Sequence, residues 1–233
     1  MNLLSIVICM IFLVLVWVGY IRGFLKSVFI VGSGILALIL TFLLSPMVST
    51  TLTKETKLDT VIQKKIEETL KLNTKKDVTT KVKQTEAIEQ LHLPEMLQNG
   101  LIENNHEEIY EALHIEHFYE YVAAYFTLMI MNAISFLLTY VIVRIILIFL
   151  GQTLEFITEL PIVHTFDKVG GVALGFIEAL LLTWIFFVIV TMLIQTEFGK
   201  IMIKEVNQSV ILSYLYNNNL LLESITNLSK IVF

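Results

Sequence analysis

Between two long apolar stretches the chain reads Gly19-Tyr20-Ile21-Arg22-Gly23-Phe24. Glycine lets the backbone turn sharply, and arginine anchors a helix end at the boundary between lipid and water. This polar corner therefore predicts that the flanking stretches are two membrane-spanning helices joined by a tight turn. A second stretch, Asp167–Gly175, has the same ingredients, because it places a lysine and three glycines where a later apolar segment begins.

The composition excludes an ordinary soluble domain. Hydrophobic residues make up 56% of the 233 residues and charged residues only 16%, against roughly 45–50% and about 25% in soluble proteins. A bilayer core of about 30 Å needs about 20 mostly apolar helical residues. Four segments meet this requirement: Leu3–Ile21, Val28–Val48, Val122–Leu150 and Val172–Ile194. The first lacks a basic N-terminal region and a small-residue cleavage site, so we expect an uncleaved span.

These segments predict an all-α polytopic membrane protein whose four transmembrane helices form two hairpins. We expect the first transmembrane hairpin at residues 1–49, a helical extracytoplasmic insert at 50–119, the second hairpin at 120–195 and an amphipathic C-terminal tail at 196–233. Nine lysines and 14 acidic residues lie between Thr50 and Glu120, and this difference accounts for the whole net charge of −5.

Positive charges next to the spans predict the orientation. Arg22 and Lys26 lie in the first corner, Arg144 lies near the end of the third span, and Lys168 lies just before the fourth. Because Lys and Arg concentrate in short cytoplasmic loops, we expect both corners to be cytoplasmic and both termini to be extracytoplasmic. The insert lysines argue for the reverse, but the rule weakens in a loop of about 70 residues.

The insert shows helical patterns and segregated charge. Apolar positions recur at helical spacing from Leu58 to Leu70, Pro94 predicts a helix boundary, and Glu107–Tyr125 is predicted to run unbroken into the third span. Residues 50–83 carry nine lysines and five acids, whereas residues 84–120 carry nine acids and no Lys or Arg. This segregation fits either two helices that pair by opposite charge or a basic surface that touches anionic headgroups or wall polymer.

The tail after Ile194 is too apolar for a free segment. We expect an amphipathic helix that lies on the membrane or caps the insert, with a turn at Asn217–Asn219, because asparagine tolerates left-handed backbone.

Two ionisable residues lie inside predicted spans. Arg144 is predicted to lie about 9 Å and Glu178 about 12 Å from the cytoplasmic ends of adjacent antiparallel helices. Because an unpaired charge is costly in lipid, we predict an intramembrane Arg144–Glu178 ion pair. Such a pair is either a static contact or a proton- or ion-sensitive contact in a transport path.

Glycines at a spacing of four residues permit close helix packing. Gly19 and Gly23 have this spacing, as do Gly171 and Gly175. We interpret both motifs as contacts within one chain, with dimerisation as the alternative.

No sequence pattern predicts a reaction. The chain has no phosphate-cradling loop, nucleophile elbow or dinucleotide fingerprint, so we expect no enzyme activity and no cofactor. His114, His117 and Glu111 could form part of a zinc site on a helix, but no cysteine or second histidine pair supports one, and we expect no metal. The acidic balance and the few cations outside the insert disfavour nucleic-acid binding.

The two glycine-containing stretches resemble a known family. Gly19–Phe24 is similar to the start of the colicin V production family of bacterial inner-membrane proteins, and Leu160–Gly175 is similar to that family's entry into its last span. The resemblance covers roughly residues 1–50 and 120–195. It implies a multi-pass protein of the bacterial cytoplasmic membrane linked to toxin (colicin V) production or export and to envelope homeostasis. The family often has an Asp early in the first span, where the corresponding stretch of this chain reads Asn2-Leu3-Leu4-Ser5.

Three interpretations of function stay open. The first is a non-catalytic membrane protein that supports toxin or peptide export and envelope homeostasis. The second is a small transporter or channel subunit that uses Arg144 and Glu178. The third is a membrane scaffold that docks a protein partner on the extracytoplasmic insert. Besides the lipid bilayer and such a partner, a second copy of the chain is a candidate contact.

Overall fold

The computed structural model describes residues 2–73, 78, 80–152 and 164–226. Every regular element within these residues is an α-helix, which confirms the all-α part of the prediction. The helices are α1 Leu3–Arg22, α2 Phe24–Glu55, α3 Leu58–Asn73, α4 Lys81–Glu89, α5 Glu95–Glu103, α6 Glu107–Leu113, α7 Phe118–Gln152, α8 His164–Met192, α9 Glu197–Asn207, α10 Val210–Asn217 and α11 Leu220–Thr226.

Four of these helices, α1, α2, α7 and α8, are long and apolar enough to cross a membrane. Three of them are at least six residues longer than their predicted spans, because α2 continues to Glu55, α7 begins at Phe118 and α8 begins at His164. At helical rise, α2 is about 48 Å and α7 about 52 Å long, whereas the bilayer core is about 30 Å thick. One end of each helix therefore projects beyond the hydrocarbon.

The spanning helices form two antiparallel contacts. α1 packs on α8, while α2 packs on α7 and also on α8. Residues near the start of one helix thus face residues near the end of the other. The pairs that show this are Phe12–Phe176 and Gly19–Gly171 for α1 and α8, and Phe42–Phe136 and Ser33–Arg144 for α2 and α7.

The projecting ends of α2, α7 and α8, together with α3–α6 and α9–α11, form what we call the outer domain. Its core contains fully buried side chains from α7, from the insert and from the tail, including Tyr121, Leu97 and Tyr216. Asn217 on the tail accepts a hydrogen bond from the backbone N–H of Met96 at 3.1 Å. The tail therefore caps the insert, which is one of the two predicted arrangements.

The predicted unbroken helix from Glu107 to Tyr125 is wrong. α6 ends at Leu113, His114 has a left-handed backbone with φ 55°, and α7 begins at Phe118. The Glu120 carboxylate accepts hydrogen bonds from the backbone N–H groups of residues 116 and 117, each at 3.1 Å. These bonds satisfy backbone amides at the N-terminus of α7. The pattern of apolar residues does not reveal this helix start, because the capping residue is polar.

Other local predictions are confirmed. α3 includes Leu58–Leu70, Pro94 lies between α4 and α5, and Asn218 and Asn219 separate α10 from α11. Helix α3, which carries three lysines and three acidic residues, packs mainly on α7.

Candidate functional site

The corner between α1 and α2 depends on Gly23. This residue has φ +80°, a conformation that glycine adopts far more readily than other residues. A Cβ at Gly23 would also overlap the Asp167 carboxylate. That carboxylate accepts a hydrogen bond from the backbone N–H of Phe24 at 2.7 Å. The first turn of α8 thus supplies the N-terminal cap that glycine itself cannot give to α2.

The neighbouring Lys168 acts on the other side of the same corner. Its Nζ donates to the carbonyl of Ile21 at 3.4 Å and lies 5.2 Å from the centroid of the Tyr20 ring. A cation at the C-terminus of α1 and a carboxylate at the N-terminus of α2 both oppose the local helix dipole. Adjacent residues of α8 therefore stabilise both helix ends that meet at Gly23. We call Arg22, Gly23, Asp167, Lys168 and Glu178 the corner site.

Next to the corner, along the length of α1, the backbones of α1 and α8 are in direct contact. A Cβ on Gly19 would overlap the carbonyl oxygen of Gly171, and a Cβ on Gly171 would overlap that of Gly19. At Gly175 it would overlap the carbonyl oxygen of Leu15. The paired glycine motifs therefore pack within one chain, with Gly23 used mainly for the turn.

The predicted Arg144–Glu178 ion pair is not formed. Glu178 Oε2 instead accepts from Arg22 Nη1 at 3.0 Å, and the two side chains are 17% and 33% exposed. Side chains lean toward the N-terminus of their own helix. Arg22 therefore leans from the corner into the span, Glu178 leans toward the corner, and the two meet on the α1–α8 contact.

Arg144 lies in the other contact, between α2 and α7. Its Nη1 donates to Ser33 Oγ at 2.6 Å and its Nη2 to the carbonyl of Ile30 at 3.5 Å. Ser33 is ten residues beyond Gly23, so it lies about 15 Å from the corner, a distance of about half the thickness of a bilayer core. Among the residues that the structure describes, no carboxylate forms an ion pair with Arg144. The structure thus places this guanidinium on neutral oxygens of α2 rather than on the Glu178 carboxylate.

The predicted topology anchors surround the corner. Arg22 and Lys168 belong to the corner site, and Lys26 is exposed on the first turn of α2. The side of the membrane on which they lie stays a prediction. The link between α7 and α8 falls at residues 153–163, outside the described residues, together with the part of the family-like stretch at 160–163.

At the opposite end of α1, Asn2 occupies the position near which the family often has an acid. Its Oδ1 accepts from the backbone N–H of Ser5 at 2.9 Å, and its Nδ2 donates to the carbonyl of Glu205 on α9. Ser5 Oγ also lies 2.9 Å from Ser209 Oγ. An amide accepts and donates at once, so Asn2 caps α1 and joins it to the tail.

Tyrosines in the outer domain act as hydrogen-bond donors or acceptors. Tyr110 Oη donates to Asn105 Oδ1 at 2.9 Å, and burial raises the pKa of Tyr110 to about 12. Tyr216 Oη shares a 2.6 Å hydrogen bond with Thr191 Oγ1, and burial also raises the pKa of Tyr216. Both phenols are neutral at physiological pH, so neither supplies a phenolate nucleophile.

The histidine-rich stretch is divided by the α6–α7 break. His114 follows α6 and His117 precedes α7, so they do not share a helix. Across the described ranges, no group of three or more His, Cys, Asp or Glu residues could hold a metal ion.

The chain was compared with known proteins. Residues 113–219 match the family model described as "Colicin V production protein". The match runs from the end of α6 through α10 and includes Asp167–Gly175, whereas Gly19–Phe24 lies outside it. No curated protein and no solved structure matches the chain. Together with the four apolar helices, the match supports a multi-pass membrane protein that is similar to the colicin V production family over residues 113–219.

Proposed function

We propose that this chain is a non-catalytic protein of the bacterial cytoplasmic membrane that supports toxin or peptide export and envelope homeostasis. The observation that carries the proposal is the α1–α8 contact, where backbones touch at Gly19 and Gly171 and each charge of the corner site has a partner. A contact of this kind favours one fixed arrangement of the helices. The protein then acts as a rigid membrane frame that holds the outer domain.

In this proposal the corner faces the cytoplasm and the outer domain lies outside. Three cations around the corner, Arg22, Lys26 and Lys168, support this orientation. The test uses a Cys9→Ser background with one new cysteine, Lys26→Cys or Asn218→Cys. A membrane-impermeant maleimide added to intact spheroplasts should label the Asn218→Cys protein, and should label the Lys26→Cys protein only after permeabilisation. The opposite pattern would overturn the orientation.

The role in export and envelope homeostasis is tested in cells that lack the chain. We expect less peptide toxin in the medium and greater dye entry through the envelope. Complementation with the wild-type chain or with Gly32→Ala should restore both, because a Cβ at Gly32 meets no atom within 4 Å. Complementation with Gly171→Leu should restore neither. Normal toxin release and a normal envelope in the null strain would refute the proposed role.

A transporter or channel subunit is the second candidate, and Arg144 is the observation that favours it. A guanidinium at mid-membrane depth with neutral partners is costly to maintain and is often found on an ion pathway. Ion or proton flux in liposomes that disappears in Arg144→Gln but persists in Glu178→Gln would favour this candidate. Absence of flux through the purified wild-type chain would favour the rigid frame.

A further inference from the structure

A small cleft opens between α2, α7 and α11 where the spans enter the outer domain. It has a volume of about 290 Å³, and Phe42, Ser45, Pro46, Ser49, Asn132 and Phe136 are among the residues that line it. We call it the interfacial cleft. None of its lining residues carries a charge. The rings of Phe42 and Phe136 lie 5.3 Å apart between centroids, tilted by 54°, and form its apolar side.

The depth of the interfacial cleft follows from helical rise. Phe42 is 19 residues beyond Gly23 and Thr50, which also lines the cleft, is 27 residues beyond it. These positions lie about 28 Å and about 40 Å from the corner. With a hydrocarbon core of about 30 Å, the cleft begins at the edge of the acyl chains and extends through the headgroup layer. Phe42 and Pro46 are exposed, so the cleft opens sideways toward lipid.

Two polar groups at the interfacial cleft lack their ordinary partners. Asn132 Oδ1 accepts from Ser49 Oγ at 3.1 Å, but its buried Nδ2 has no hydrogen-bond partner in the described part of the chain. Pro46 lies inside α2 and has no N–H, so the carbonyl of Phe42 lacks its usual donor four residues later. At a lipid boundary such groups need a donor or an acceptor from elsewhere.

We propose that the interfacial cleft binds the headgroup and glycerol region of one phospholipid from the adjacent leaflet. The ester or phosphate oxygens of the lipid accept from the Asn132 amide. The ammonium or hydroxyl group of the headgroup donates to the carbonyl of Phe42 and contacts the hydroxyls of Ser45 and Ser49. The acyl chains then run toward the corner over the exposed apolar surface at Ile39 and Ile35. Because the cleft is neutral, it accepts both zwitterionic and anionic headgroups.

Photo-crosslinking in liposomes tests this proposal. Benzoylphenylalanine replaces Phe42 in the full chain, which is reconstituted in phosphatidylethanolamine and phosphatidylglycerol and irradiated before mass spectrometry. The matched control places the same probe at Leu43, which is 68% exposed and reports ordinary lipid contact. We expect a single-phospholipid adduct at both positions. Asn132→Leu should reduce the Phe42 adduct about fivefold, the ratio expected when one hydrogen bond is lost, and should leave the Leu43 adduct unchanged.

A second variant keeps the test decisive if Asn132→Leu folds poorly. Pro46→Ala restores an N–H that can bond the Phe42 carbonyl within α2, and helix propensity favours it. We expect it to reduce the Phe42 adduct as well, without loss of folded protein. Three results would overturn the proposal: a Phe42 adduct that neither variant reduces, equal reduction at Leu43, or an adduct whose mass is that of a peptide.

Discussion

The α1–α8 and α2–α7 contacts are both antiparallel pairs of spanning helices with one arginine each, but they hold that arginine differently. In α1–α8, Arg22 meets the Glu178 carboxylate at 3.0 Å. In α2–α7, Arg144 meets the neutral Ser33 hydroxyl and a backbone carbonyl. The first contact is electrically complete, whereas in the second no carboxylate among the described residues pairs with the guanidinium. A contribution to the stability of the fold explains the Arg22–Glu178 pair more readily than it explains Arg144 on neutral oxygens.

The two contacts also differ in how closely the helices approach. Gly19 and Gly171 bring the backbones of α1 and α8 together. In α2–α7 the helices meet through side chains such as Phe42 and Phe136, and a Cβ at Gly34 would only meet Arg144 Nη1 at 3.9 Å. The α1–α8 contact should therefore tolerate no added volume, whereas α2–α7 should tolerate a methyl group.

The largest expected effect on stability comes from adding one methyl group to the α1–α8 contact. Gly171→Ala forces the backbones of α1 and α8 apart and should lower the free energy of unfolding by about 2–3 kcal/mol, as overpacking does. Gly34→Ala is the matched control, and its better helix propensity should keep the change within about 1 kcal/mol. Reversible unfolding by SDS in mixed micelles measures both. Equal effects of the two substitutions would remove the distinction between a backbone and a side-chain contact.

An intermediate effect is expected from breaking the Arg22–Glu178 pair. Glu178→Gln leaves Arg22 without its counter-charge and should lower the free energy of unfolding by about 1–2 kcal/mol, since the pair is partly open to water. The same substitution in an Arg22→Gln background should cost clearly less, because the pair is already lost. A double-mutant cycle in the same micelles measures this coupling. Strict additivity would show that the two residues do not interact.

The sequence predicts the spans and the corner well because both are local properties. Apolar length marks α1, α2, α7 and α8, and Gly23 with its flanking cation marks the turn. The partner of Glu178 is not local, because it depends on which helix lies beside α8. The two glycine motifs did indicate which helix lies beside α8, since close packing of Gly19 on Gly171 places α1 there.

The outer end of the molecule was harder to predict for the same reason. Pro46 is visible in the sequence as a helix residue without an N–H. That Asn132 lies across from it on α7 follows only from the register of two helices that are 63 residues apart at their nearest ends. The break at His114 was missed because Glu120 caps α7 from within the helix, which no apolar spacing records.

The smallest expected effects concern Arg144 and test the contrast most directly. Ser33→Ala removes one hydrogen bond to the guanidinium and should lower the free energy of unfolding by about 0.5–1 kcal/mol, as is usual for hydrogen bonds between membrane helices. Arg144→Leu removes the charge itself and should leave stability unchanged or raise it, because the cost of keeping a cation in lipid disappears. In the Arg144→Leu background, Ser33→Ala should have almost no further effect. SDS titration of the two single variants and the double variant measures all three values.

A loss of stability in Arg144→Leu comparable to that in Glu178→Gln would show that Arg144 is a structural residue like Arg22. The expected opposite result would mean that the chain keeps a cation at mid-membrane depth against its own stability. The role of Arg144 would then be functional rather than structural. Complementation of the null strain by Arg144→Leu then distinguishes the two proposed functions, because a rigid frame should still support release of the toxin and a transport subunit should not.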